Sequence, residues 1–64
     1  MDNDILPLLH KQMDAEKVQI AEALVQGSAI DFADYRRMCG VINGLERAQR
    51  VLVDMRDRLR KQEE

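Results

Sequence analysis

Sixty-four residues with a net charge of -2 and a sequence pI of about 5.3 make at most one small domain, too short to bury a large core unaided. Stabilising staples are missing, because the single cysteine, Cys39, closes no internal disulfide and the single histidine, His10, anchors no zinc site. With 34% charged and 45% hydrophobic residues the composition is that of a folding chain, and its acidity argues against a dedicated nucleic-acid binder.

The start, MDNDILPLLHKQ, is acidic and has no long apolar stretch, so neither a signal peptide nor a membrane span is expected. A lone thiol suits a reducing compartment, and the expected location is cytoplasmic. Asp2, Asn3 or Asp4 can cap a first helix, with Pro7 in its first turn, where a missing N–H costs nothing. Leu6, Leu9, Met13, Ile20 and Leu24 then recur at helical spacing, and Ala21 and Val25 widen the stripe. Lys11, Gln12, Asp14, Lys17, Gln19 and Glu22 fall mostly on the other side. This helix is expected over residues 4–26.

Gly27 stands where a C-terminal glycine belongs and opens a turn over residues 27–31. Asp31 is placed as N-cap of a second helix, Asp34 favours its positive end, and Ile30 and Tyr35 are spaced for a hydrophobic staple. The second helix is expected over residues 32–61, about 45 Å at 1.5 Å per residue. Along it Met38, Val41, Leu45, Ala48, Leu52, Met55 and Leu59 step at alternating spacings of three and four, a heptad seam that asks for a neighbouring helix. Gly40 and Gly44 lie beside that seam, each costing about 1 kcal/mol relative to alanine in a helix interior.

A connection this short makes the helices antiparallel neighbours whose facing numbers sum to roughly 58. Gly44 then faces Met13 or Asp14, and Gly40 faces Lys17 or Val18. By the same register the chain from about Val53 onward overhangs the first helix, leaving Met55 and Leu59 without an intramolecular partner. The expected fold is all-α, an antiparallel two-helix hairpin in one domain that self-associates into a helical bundle or coiled coil. Residues 1–27 hold five acids and two lysines, whereas residues 36–61 hold eight bases and three acids, so the two halves attract each other.

Protein contact is the chemistry these residues suit. The Gly40–Gly44–Ala48 ladder offers either a docking groove or close packing inside the hairpin. The seam from Met38 to Leu59, with Val41, Leu45, Leu52 and Met55, is the principal interaction surface. The arginines alternate with acids as on a solvated face, and no nucleic-acid motif accompanies them, which leaves nucleic-acid contact the weaker reading. Cys39 reads as a small buried residue and His10 as a surface residue at the open end. The carboxylates lack the burial that tunes a general acid. No catalytic residue, metal site, cofactor or small-molecule substrate is expected.

The stretch from Ala23 to Leu45, ALVQGSAIDFADYRRMCGVINGL, resembles a family of short proteins of tailed bacteriophages encoded near head and portal genes. Their pattern is close to A-L-x-x-G-x-A-x-D-F-A-x-Y-R-x-x-x-G-x-I-x-G-L, matched here by Gly27, Asp31, Phe32, Tyr35, Arg36, Gly40 and Gly44. The likeness covers about a third of the chain. It implies a phage setting, in the host cytoplasm or the virion, and a helical adaptor or scaffold-like piece in the head–portal region. Arg36 has no evident structural duty and is the candidate polar contact. The alternatives are a small phage protein that binds and inhibits a host protein, and a nucleic-acid accessory. The expected partner is a second copy of the chain, a larger phage or host protein, or both.

Overall fold

Gly27 ends the first helix. Its backbone takes a φ of +79°, which L side chains rarely adopt. The Ser28 N–H bonds to the Ala23 carbonyl at 2.9 Å and the Gly27 N–H to that of Leu24 at 3.1 Å, the paired closure of a Schellman turn. Four residues later Asp31 opens the second helix by accepting the Asp34 N–H on its Oδ1 at 2.8 Å. Asp34 reaches back, its Oδ2 accepting the Ile30 N–H at 3.1 Å, so the two aspartates brace the turn reciprocally. The expected staple is not built. Ile30 stays 86% exposed, while the Tyr35 ring stacks on Phe32 at 6.1 Å between centroids.

The computed structural model describes residues 5–63, so the expected caps at Asp2, Asn3 and Asp4 lie outside the described residues. It is an all-α helical hairpin: α1 spans Ile5–Val25 and α2 spans Phe32–Glu63. The hairpin measures 50 × 16 × 11 Å, one helix thick. Its radius of gyration of 15.1 Å exceeds the roughly 11 Å of a compact domain of this length.

The helices meet along Met38, Ile42, Leu45, Gln49, Leu52 and Arg56 of α2, all buried or half-buried. From α1 come Leu6, His10, Met13, Lys17, Ile20 and Leu24, half-buried in turn. Both sets step by three and four, the spacing of a coiled-coil seam. Met38 is the one apolar residue among the described residues to reach burial, at 9% exposure.

Three expectations need correction. The inner seam of α2 shares Met38, Leu45 and Leu52 with the expected one but replaces Val41, Ala48 and Met55 by Ile42, Gln49 and Arg56. The reason is on α1, where the His10 carbonyl and the Asp14 carboxylate give Gln49 its hydrogen-bond partners. Lys17, expected on the outer side, turns toward α2, and Leu9, Ala21 and Val25 are exposed. Finally, Leu6, Pro7 and His10 line a hollow with Leu52, Val53 and Arg56. Val53 and Met55 therefore lie level with α1, and the overhang begins about a turn later than expected.

Candidate protein-interaction site

A polar clasp holds the middle of the hairpin. Gln49, only 6% exposed, donates from Nε2 to Asp14 Oδ1 at 2.8 Å and to the His10 carbonyl at 3.1 Å. Lys17 Nζ lies 3.5 Å from Asp14 Oδ1 and 3.7 Å from Glu46 Oε2. The Gln49 hydrogen bond is the main cause that holds the Asp14 carboxyl below its ordinary pKa, with Lys17 and His10 adding to it. Sequence reasoning passed over Gln49 because it sought an apolar residue at each seam position. Its signal is the spacing of seven from Ile42 and from Arg56.

The interhelix ion pair runs against the charge asymmetry of the chain. Lys17 comes from the acidic half and Glu46 from the basic half. Arg37 and Arg56 instead pair with Asp34 and Asp57 of their own helix. Among the described residues no ion pair joins an α1 acid to an α2 base, so direct pairing between the oppositely charged halves is not what joins the helices.

Turning this polar seam inward leaves an apolar row outside. Val41, Val51, Met55 and Leu59 are exposed large hydrophobic residues, Val51 at 64%. Gly40 and Gly44 are exposed beside them, Ala48 is half-buried, and a methyl group added at either glycine meets nothing within 4 Å. Close packing of the glycines within the hairpin is thereby overturned: neither faces Met13, Asp14, Lys17 or Val18. At 100° per residue, Gly40, Val41, Gly44, Ala48, Val51, Met55 and Leu59 share one face of α2 that flanks the inner seam, with Val41 bordering α1 at a hollow lined by Gln19, Ile20 and Ala23. The expected site residues thus divide: Met38, Leu45 and Leu52 build the inner seam, and the rest form the outer row.

Arg36 is exposed, with its guanidinium 5.9 Å from the centroid of the Phe32 ring, a cation–π distance. Phe32 and Tyr35 with Ile30 and Val25 make an apolar tip around the turn. Cys39 is half-buried and not the buried residue expected. Hydrogen bonding with Cys39 is the first cause that raises the Tyr35 pKa above its ordinary value. His10 is half-buried rather than a plain surface residue, with Nδ1 3.8 Å from Asp14.

Among the described residues, no helix is long and apolar enough to cross a membrane. The chain matches no protein-family model, no curated protein and no solved structure.

Proposed function

We propose that this chain is a non-enzymatic assembly component of a tailed bacteriophage, a helical adaptor or scaffold-like piece of the head–portal region. The observation that carries the reading is the outer row of α2. It lines up Val41, Val51, Met55 and Leu59 in solvent along about five turns of one helix, more contiguous apolar surface than scattered exposed residues explain. The resemblance of residues 23–45 to short phage proteins supplies the setting. The function is contact: the hairpin presents a rigid helix face, and a helix of the assembly packs on it.

The test is quantitative mass spectrometry of purified particles. A fixed copy number relative to the portal and capsid proteins is expected, and absence from particles and from their assembly intermediates overturns the reading.

The apolar tip favours a second reading. Val25, Ile30, Phe32 and Tyr35 are all exposed around the turn, with Tyr35 stacked on Phe32 and Arg36 over the Phe32 ring, and aromatic and arginine side chains are the types that anchor protein contacts. A small protein that inhibits a host enzyme or factor would dock through such a tip. It would be made early in infection and excluded from particles, which separates it from the assembly part.

A further inference from the structure

The outer row of α2 has two rows within it. Gly40, Gly44 and Ala48 form a line of small residues spaced by four, and Val51, Met55 and Leu59 form a line of large ones with the same spacing. Both lines lie on one face, one along each half of the helix. The first is a groove, since the two glycines are exposed and open. The second is a ridge, exposed along its length.

A face carrying a groove and a matching ridge in sequence is complementary to itself when turned end for end. Laid antiparallel with facing numbers that sum to 99, a second α2 sets Met55 on Gly44, Leu59 on Gly40 and Val51 on Ala48. The two-fold axis passes between Ala48 and Val51, and each contact occurs twice. This is the isologous interface that closed dimers require, built from the i, i+4 rows that interdigitate in helix packing. A parallel pair would set groove on groove and ridge on ridge, leaving the glycine lines unfilled. We propose that the occupant of this face is a second copy of the chain, docked antiparallel through α2.

Charge and area point the same way. No charged residue interrupts the two lines. At their edge Arg47 comes level, within about half a turn, with Asp54 of the second copy, and the reciprocal pair forms across the axis. The hairpin exposes 5280 Å², against about 4,200 Å² for a compact protein of its mass. The excess, roughly 1,100 Å², is enough to supply the ~800 Å² that each partner of a standard interface buries. The pairing gives two hairpins the shared core that each one lacks.

This inference rests on the reading of the outer row as the working surface and names what first covers it. The experiment is the solution mass of the full chain by light scattering up to about 100 µM, above the micromolar-to-picomolar dissociation constants of interfaces this size. Twice the chain mass of 7.4 kDa is expected. Gly44→Leu fills the groove and is expected to give the single-chain mass. It keeps its helical circular dichroism, because the site is open within the hairpin. Adding Met55→Ala to Gly44→Leu exchanges the large and small partners and restores the doubled mass. That rescue follows only if residue 44 of one copy meets residue 55 of the other.

A monomeric wild-type chain overturns the second-copy assignment, as does a doubled mass that Gly44→Leu leaves intact or that the exchange does not restore. Fixed copy number in particles with a monomer in solution would retain the assembly reading while removing this one. A dimer absent from particles would do the reverse.

Discussion

Gln49 and Asp14 are joined across the hairpin by a 2.8 Å hydrogen bond, and this pair sets which face of α2 turns inward. A glutamine at 6% exposure needs its amide satisfied, and the side of α1 bearing Asp14 and the His10 carbonyl does so. Rotating α2 to bury Val41, Ala48 and Met55 would leave that amide and Asp14 without each other. Gln49→Ala is therefore expected to lower the unfolding free energy by about 1 kcal/mol, the net worth of a typical intramolecular hydrogen bond. Denaturant titration followed by circular dichroism checks it, and a loss within error would remove the clasp from the account.

The clasp also predicts an acid response. Asp14 and Asp34 both have folded pKa values below the ordinary aspartate value, chiefly through hydrogen bonds from Gln49 and from Arg37 respectively. Groups shifted down in the folded state contribute stability that is fully present above the unfolded pKa, about 4. That contribution is lost as pH falls through the lower folded values. Thermal midpoints should decline from about pH 4 downward, and Asp14→Asn should flatten part of the decline. In Gln49→Ala, titration of Asp14 by NMR should give a higher pKa than in the wild type.

Gly27→Ala tests the turn. A Cβ there meets nothing within 4 Å, so the effect is conformational and not steric crowding by a neighbour. With φ at +79° the substitution should cost about 1 kcal/mol or more, measured as a shift in denaturant midpoint. Gly40→Ala, in a regular helix and equally open, should carry none of that backbone strain.

Asp31→Ala removes the acceptor of the Asp34 N–H and is expected to cost about 1 kcal/mol. Loss of amide-exchange protection should begin at residues 32–35 and spare the middle of α2, where Gln49 holds. A uniform loss across α2 would show that the cap does not act locally.

The two helices, their turn and the roles of Gly27 and Asp31 were legible because each rests on local chemistry: apolar spacing, a glycine stop and an aspartate cap. The choice of face was not. Two heptad rows overlap in α2, sharing Met38, Leu45 and Leu52, and periodicity cannot rank one against the other. An apolar count favours Val41, Ala48 and Met55. The folded chain takes Ile42, Gln49 and Arg56, because the decision lies with polar groups 35 and 39 residues away. The glycines mislead for a related reason. Their cost within a helix implied a close neighbour, and in the hairpin that neighbour is not α1.

Separate faces on α2 have a consequence for how such a chain can vary. Gln49 and Asp14 hold the hairpin from one face and Val51 and Met55 lie on the next, so substitutions in the two pairs that share no partner should combine nearly additively. A change at Val51 or Met55 alters what the row accepts and leaves the clasp of Gln49 and Asp14 in place. Selection can therefore retune the partner while the hairpin stays constant. In a chain with so small a core, that independence is the latitude within which new contacts can arise.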